Sequence, residues 1–216
     1  MPVDTANLCS HLQKRLFEPD CVYYSIRQAM QNNPIQIQYY NSPCGEIVLA
    51  SVADELCLCD WNEMPCAERN KHRLAKLLNA DFKTETSNVL EQTKKQLDEY
   101  FTCNRRTFSI PLHPVGTTFQ QQVWQALLEI PYGETRTYKE IALSIGFPKG
   151  VRAVAQAIGA NGISILIPCH RVIGSNNSLT GFAGGLEAKR ILLKIEEQNI
   201  AYRVLGSQMH KNKSID

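Results

Sequence analysis

Apolar residues at helical spacing dominate the second half of this 216-residue chain, and short turn sequences interrupt them. An apolar stripe over 119–130 ends at the turn sequence 131–133, which predicts a helix and its end. Two shorter helical patterns follow at 137–145 and 151–159, and the turn 146–150 separates them. Two helices joined by a short turn are typical of DNA-binding proteins, although many helical hairpins are purely structural. The pattern predicts a helix-turn-helix unit and leaves its role open.

Residues 35–115 carry a different pattern, in which apolar and polar side chains alternate. The alternation over 35–40 predicts a half-buried strand, and strand patterns at 46–52 and 55–61 extend it to a small antiparallel meander. Two helices and one further strand are predicted after the meander, at 67–80, from Ser87 onward and at 107–112.

The predicted fold class is α/β, more narrowly α+β, with a boundary in a linker rich in proline and glycine. A small N-terminal domain at 35–115 combines an antiparallel sheet with helices. A mainly helical C-terminal domain at 116–206 holds the helix-turn-helix, a turn around a cysteine and a last helix over about 186–198. Residues 1–34 form an extension with a helical, polar pattern and no assigned role, and residues 207–216 form a polar tail.

Composition narrows the class of protein. Apolar residues make up 44% of the chain, which is enough for a core, and the net charge of +2 does not by itself indicate a nucleic-acid-binding protein. No run of 18 apolar residues is present, so we expect no membrane-spanning helix and no membrane partner. The N-terminal residues lack a basic leader followed by an apolar core, so we expect an intracellular protein, in the cytoplasm of a prokaryote or the nucleus of a eukaryote.

Eight cysteines are spread over the chain without regular spacing, and we expect no disulfide framework. Cys57 and Cys59 are two residues apart in a predicted strand, which places both thiols on one face and could build a metal site. No second cysteine pair or spaced histidine pair completes such a site. We therefore expect no bound metal and interpret most cysteines as small buried hydrophobes.

The sharpest chemical feature is a cysteine that follows an apolar run. The run 163–167, predicted to be buried and extended, leads directly into Pro168, Cys169, His170 and Arg171. A cysteine reacts as its thiolate, and neighbouring His and Arg side chains lower a thiol pKa, so Cys169 is a candidate nucleophile. From the residues alone, a core cysteine beside a solvated His–Arg pair is equally consistent with the pattern.

This motif resembles the active-site sequence of the methylated-DNA–protein-cysteine methyltransferases, also called O6-alkylguanine-DNA alkyltransferases. Further motifs fall in that family's order and spacing: Phe119-Gln120, Val123-Trp124, 130–135, Thr137-Tyr138, Arg152-Ala153-Val154, Asn161 and Gly184-Gly185-Leu186. The resemblance is strong over about 117–205 and weak over 35–115.

The resemblance implies a DNA-repair reaction that each molecule performs once and that needs no cofactor. The alkyl group of O6-alkylguanine, and of O4-alkylthymine, would move irreversibly to Cys169. By similarity, His170 removes the thiol proton through a water molecule, and Glu196 orients His170. Tyr138 and the backbone amide of Val172 would donate hydrogen bonds to the departing base. Read without the family, Glu196 could also be a solvated helix residue next to Glu197.

The implied partner is double-stranded DNA, bound by a monomer. The reacting atom lies inside the duplex, so the damaged nucleotide must be flipped into a pocket. By similarity, Arg152 fills the gap in the base stack. The small Ala153 after it would let the helix approach the minor groove closely, and within that helix Gln156 alone is of a base-reading type. Asn161 resembles the family's hinge between this helix and the cysteine. Read without the family, Arg152 would by default contact a phosphate.

Hinge and pocket positions carried over from the family are Asn161, Arg171, Val172, Phe182, Ala183 and Gly184. Phe182 stands where many relatives have tyrosine, so a hydroxyl at the pocket mouth is missing. Gly184 stands where some relatives have tryptophan, which predicts a roomier pocket. Gly162 replaces a frequent proline, which predicts a looser start to the apolar run.

The residues leave three other functions open. A lesion-binding protein of the same fold without the reaction would lack the cysteine, and Cys169 is present. A cysteine hydrolase would use Cys169 and His170 repeatedly but would have no use for Arg152. A transcription regulator would need base-reading side chains on the second helix of the pair, where Gln156 alone offers one.

Overall fold

The computed structural model describes residues 33–211, and their side chains up to residue 200. The helical pattern predicted before residue 33 lies outside the described residues. The predicted antiparallel meander is confirmed by three strands: β1 (Ile35–Ser42), β2 (Gly45–Val52) and β3 (Glu55–Trp61). A two-residue strand, β4 (Phe82–Lys83), pairs parallel to β1 and completes a sheet of order β3-β2-β1-β4. A strand this short has no sequence pattern that would predict it.

Two helices pack against this sheet. α1 (Pro65–Leu78) begins two residues before its predicted start, at a proline whose missing N–H would be unpaired at a helix start in any case. α2 (Asn88–Phe101) begins at the predicted cap, because the Ser87 hydroxyl accepts a hydrogen bond from the N–H of Leu90 (3.2 Å).

A β-bulge separates the two cysteines that were predicted to share a strand face. The pairing of β3 with β2 shifts after Ala50, and Cys57 is the residue left without a partner opposite it. Cys57 therefore packs in the hydrophobic cluster under α1, whereas Cys59 packs in the cluster on the other side of the sheet. The predicted shared face is wrong because the bulge breaks the two-residue alternation of side chains.

The strand predicted at 107–112 is reduced to a single bridge between Leu112 and Leu56. The N–H of Leu56 donates to the Pro111 carbonyl, and the N–H of His113 donates to the Leu56 carbonyl (both 2.8 Å). Pro111 has no N–H to extend a ladder, so the segment crosses the edge of β3 and continues into the C-terminal part.

The C-terminal part is mainly helical, as predicted, and α3, α4 and α5 match the three predicted helices to within two residues. The elements before the cysteine turn are α3 (Thr118–Leu128), β5 (Arg136–Thr137), α4 (Tyr138–Ser144) and α5 (Val151–Gly159). A short strand, β6 (Val172–Ile173), directly follows the turn. β5 and β6 pair in parallel. The last helix, α6 (Gly185–Lys211), continues past its predicted end and past residue 207, where the polar tail was predicted to begin.

The turn between α4 and α5 is organised around Phe147. Its ring packs edge-on against Phe119, with 5.7 Å between ring centroids, and covers Gly150 so closely that a Cβ there would overlap it. Gly146 has a φ of 73°, a left-handed conformation that glycine adopts without strain. Both glycines are therefore required by the helix-turn-helix geometry.

A hydrophobic cluster joins the N-terminal and C-terminal parts. It contains the sheet residues Leu49 and Leu56 together with Trp124 and Leu127 of α3, all buried. The Trp124 indole also donates to the Ala157 carbonyl (2.8 Å), which ties α3 to α5. The predicted α+β class is confirmed, and the two parts share one core. Within residues 33–211, no helix has the length and apolar character needed to cross a bilayer.

Candidate active site

Two tight reversals of the buried run 163–167 place Cys169. Ile165 has a φ of 71°, which is rare for a β-branched residue, and a hydrogen bond between its two neighbours (2.9 Å) closes a γ-turn around it. Pro168 (φ −80°, ψ 62°) makes the mirror-image turn, closed by a hydrogen bond of 2.8 Å between its neighbours. The predicted burial of the run is confirmed, but the predicted extended conformation is wrong because the run folds back on itself.

Asn161 connects the end of α5 to the thiol. Its Nδ2 donates to the Ile167 carbonyl (3.0 Å) and to Cys169 Sγ (3.3 Å). Its Oδ1 accepts from the N–H of Ile163 (3.0 Å). The side chain is buried and uses both its donor and its acceptor group, so it fixes the sulfur relative to the helix-turn-helix.

A buried carboxylate on α6 organises the residues after Cys169. Glu196 Oε1 lies 2.8 Å from His170 Nε2, and both side chains are fully buried. Arg171 donates to both carboxylate oxygens (3.0 Å each) and to the Ile130 carbonyl (2.7 Å). The alternatives of a solvated glutamate and a solvated His–Arg pair are therefore wrong.

Two further donors to Glu196 were not predicted. The hydroxyl of Tyr100, on α2, donates to Oε1, and the N–H of Gly133 donates to Oε2 (both 2.8 Å). Gly133 has a φ of 77°, so the glycine of the 131–133 turn was a visible signal for this conformation. Tyr100 had no such signal, because on an amphipathic helix it is indistinguishable from a packing residue.

The network sets the protonation states of the histidine and the carboxylate. Burial by itself raises the pKa of Glu196, but the hydrogen bonds and charges of His170 and Arg171 outweigh it and lower that pKa to about 2. Burial lowers the pKa of His170, against the opposing effect of Glu196. Since an ionised carboxylate only accepts, neutral His170 carries its proton on Nε2. Its Nδ1 is buried without a hydrogen-bond partner among residues 33–200 and is left as a base.

The Cys169 thiol is protonated at neutral pH. Its side chain is buried, and burial raises its pKa although hydrogen bonds with Asn161 and Ser164 act in the opposite direction. The predicted lowering of the thiol pKa is wrong, because His170 is neutral and the charge of Arg171 is compensated by Glu196. Nucleophilic chemistry at this sulfur therefore needs a base.

A buried lysine, which was not predicted, lies behind the cysteine turn. Lys189 on α6 donates to the carbonyls of Val172 (2.6 Å) and Thr180 (2.8 Å). Burial lowers its pKa to about 8, while the nearby Cys169 acts to raise it. The N–H of Val172, which was predicted to donate to the base, donates to the Cys169 carbonyl in this structure. The Tyr138 hydroxyl lies 3.5 Å from the Thr180 carbonyl, beside the same loop.

Aromatic residues from both parts form one wall beside the cysteine turn. Trp61, the last residue of β3, packs edge-on against Phe182 (5.0 Å between centroids), whose ring lies 6.4 Å from that of His170. The Trp61 indole also covers Gly184, so that a Cβ there would overlap it. The predicted extra room at Gly184 is wrong, because a tryptophan from another part of the chain occupies the space.

We expect Gly184→Ala to destabilise the protein by about 1–3 kcal/mol, because the added methyl group overlaps the Trp61 indole. Denaturant unfolding would measure the change in unfolding free energy. Gly159→Ala is the matched control, since among the described residues no atom outside its chain neighbours and its own helix backbone lies within 4 Å of a Cβ at that position. Equal stability of the two variants would show that Trp61 moves aside easily.

Of the residues predicted to contact DNA, Tyr138 is the first residue of α4, and the other three share one surface of α5. Arg152 and Gln156 are exposed one helical turn apart, and Ala153 is half-buried beside them. The opposite face of α5 is buried through Val154 and Ala157. Within the described residues, no group of three or more His, Cys, Asp or Glu side chains is placed to hold a metal ion.

Two family models match the chain, one over each part. The ribonuclease-like domain of 6-O-methylguanine DNA methyltransferase matches residues 35–114, and the DNA binding domain of the same protein matches residues 118–198. The chain belongs to the 6-O-methylguanine DNA methyltransferase family. The resemblance seen in the sequence is thereby confirmed, and it covers the N-terminal part as well as the C-terminal part.

Two relatives of this methyltransferase-family chain align with it along nearly their whole length. The methylated-DNA–protein-cysteine methyltransferase of Methanosarcina barkeri is 47% identical over 165 residues, which are 75% of this chain and 99% of that protein. The constitutive enzyme of the same name from Bacillus subtilis is 44% identical over 179 residues, 77% of this chain and 99% of that protein. The crystal structure of Mycobacterium tuberculosis O6-methylguanine methyltransferase is similar with a TM-score of 0.66 and 38% identity, over 76% of this chain and 94% of that one. A structure of the M. tuberculosis protein in complex with DNA is similar to the same extent.

Proposed function

We propose that this protein is a methylated-DNA–protein-cysteine methyltransferase that reverses DNA alkylation directly. Cys169 takes the alkyl group from O6 of guanine, and from O4 of thymine by the same chemistry, once per molecule. The observation that carries the proposal is the buried Cys169 followed by a neutral His170 that a buried Glu196 holds in one tautomer. The product is a thioether, which water does not cleave, so the thiol is not regenerated and no cofactor takes part.

The proposed transfer is a displacement at the alkyl carbon. The sulfur of Cys169 forms the new S–C bond, the O–C bond to the base breaks, and its electron pair leaves with the base oxygen. The thiol proton passes through a water molecule to Nδ1 of His170, which Glu196 orients through Nε2. The departing oxygen is stabilised by a hydrogen bond from the Tyr138 hydroxyl, which lies beside the loop that contains Thr180.

The proposed substrate is a base flipped out of double-stranded DNA. The exposed face of α5 would lie against the minor groove, with Arg152 taking the place of the flipped base and Gln156 beside it. Asn161 would then act as the hinge that keeps this helix in register with Cys169. The DNA complex of the M. tuberculosis relative supports DNA as the partner. We infer that the protein acts as a monomer in the compartment that holds the DNA.

The experiment that tests the function is intact-protein mass spectrometry after incubation with a duplex that contains one O6-methylguanine. We expect a gain of about 14 Da, saturating at one group per molecule and located on Cys169. Cys169→Ser should show no gain, and Cys103→Ser, which changes an exposed cysteine, should behave as wild type. Loss of the lesion without a mass gain would instead indicate a turnover enzyme, and binding without either change a damage sensor.

A further inference from the structure

The C-terminal end of α5 is stabilised by a residue from the N-terminal part. The last turn of α5 has no basic residue of its own, although a helix end has unpaired carbonyls and a partial negative charge. Arg73 of α1 supplies the cation, because its Nη2 donates to the Ala160 carbonyl (3.0 Å). Ala160 directly follows α5 and directly precedes Asn161, whose amide holds the sulfur of Cys169.

The guanidinium of Arg73 is itself held in place. It lies 5.9 Å from the ring centroid of Trp124, whose indole donates to the Ala157 carbonyl of α5. Gly162 lies beside it, since a Cβ at that position would be 3.5 Å from Nη2. The looseness predicted at Gly162 stays a prediction, although the residue is buried in the folded protein.

α1 is fixed to the C-terminal part at two points. Two turns before Arg73, the thiol of Cys66 donates to the carbonyl of Ala183, in the loop that carries Phe182 (3.5 Å). Cys66 and Arg73 are seven residues apart and so lie on one face of the helix. This face of α1 therefore spans from the aromatic wall beside the cysteine to the end of the predicted DNA-contacting helix.

We propose that Arg73 is a positioning residue for the alkyl transfer. It holds the C-terminal end of α5 and the Asn161 hinge in one register, so that a base displaced by Arg152 meets the sulfur of Cys169. This role rests on the proposed function and acts through Ala160 and Asn161. It gives the N-terminal part a share in the reaction with DNA, beyond its share in the common core.

Arg73→Met tests the role, because methionine keeps an unbranched apolar stem but removes the donors and the charge. We expect the transfer rate from an O6-methylguanine duplex at saturating protein to fall about tenfold, because the sulfur and the flipped base lose their alignment. The dissociation constant for undamaged duplex should change less than about threefold, because Arg73 acts on alignment and not on DNA attraction. Arg73→Lys can still donate to Ala160 and should restore the rate to within about threefold of wild type.

Arg69→Met is the matched control, since Arg69 is an exposed arginine one turn earlier on α1 and should react as wild type. Rates are compared well below the melting temperature of each variant. A lower melting temperature with a wild-type saturating rate would reduce Arg73 to a structural contact and overturn the proposal. Equal rate losses in Arg73→Met and Arg69→Met that disappear at high salt would also overturn it, because they would indicate general attraction to DNA. Absence of transfer by the wild-type protein would refute the proposed function first, and the positioning role with it.

Discussion

Replacing Glu196 with glutamine is expected to weaken the fold by about 3–5 kcal/mol and to slow the proposed alkyl transfer by about 10²–10⁴-fold. The carboxylate is fully buried and accepts hydrogen bonds from Tyr100, Gly133, His170 and Arg171. A glutamine amide keeps one accepting oxygen and turns an NH2 group toward donors. The charge of Arg171 then stays buried without a counter-charge, and His170 loses the acceptor that selects its tautomer.

The acid dependence of stability gives a second signature of this carboxylate. The folded-state pKa of Glu196 is about 2, below the ordinary value of a glutamate. Its contribution to stability is therefore present above the ordinary pKa and is lost as the pH falls toward 2. The difference in unfolding free energy between wild type and Glu196→Gln should be largest at neutral pH and should narrow below about pH 4.5.

Denaturant unfolding across this pH range and single-turnover transfer at saturating protein would measure both effects. Glu197→Gln is the matched control, because Glu197 is the next residue of α6 and is exposed. Its stability should stay within about 0.5 kcal/mol of wild type. If Glu196→Gln were as stable and as active as Glu197→Gln, neither the buried ion pair nor the orientation of His170 by Glu196 would matter.

The parts of this fold that could be predicted are those with local causes. Thr117 and Thr137 cap α3 and α4 with their own side chains. In each case the side chain three positions later accepts a hydrogen bond from the backbone N–H of the threonine. Helix periodicity and capping depend on residues a few positions apart, and the Pro168–Arg171 motif is itself only four residues long. Each is therefore visible as a pattern in the sequence alone.

The rest depends on contacts between residues distant in the chain. Tyr100 meets Glu196, Trp61 covers Gly184, and Arg73 meets the end of α5, across separations of 87 to 123 residues. No periodicity relates such positions, and each partner is also a plausible packing or surface residue. The predicted direction of the pKa shift at the Cys169 thiol was wrong for the same reason. Burial raises this pKa, and burial depends on the whole core and not on the adjacent His and Arg.

His170→Gln should distinguish two mechanisms, one in which His170 removes the thiol proton as a general base and one in which the thiol ionises without it. Glutamine can still donate to Glu196, so the buried carboxylate keeps a partner, but no base remains for the thiol proton. We expect the single-turnover transfer rate at pH 7 to fall about 10²–10⁴-fold. His113→Gln is the matched control, because His113 also lies beside a glutamate, with 3.2 Å between its Nδ1 and Glu55 Oε2, and should react as wild type.

The pH dependence of the two rates identifies where the proton goes. The pKa of His170 lies below its ordinary value, so the wild-type rate should be flat from pH 7 to 8 and fall only in more acidic solution. The pKa of Cys169 lies above its ordinary value, so the residual rate of His170→Gln should rise about tenfold per pH unit over the same range. Lys189, with a pKa of about 8, is common to both proteins, so any slope that it adds to the wild-type profile is added equally to that of His170→Gln, and the difference between the two slopes is unchanged. Parallel pH profiles would show that the thiol ionises without His170, and the base assigned to this site would then be wrong.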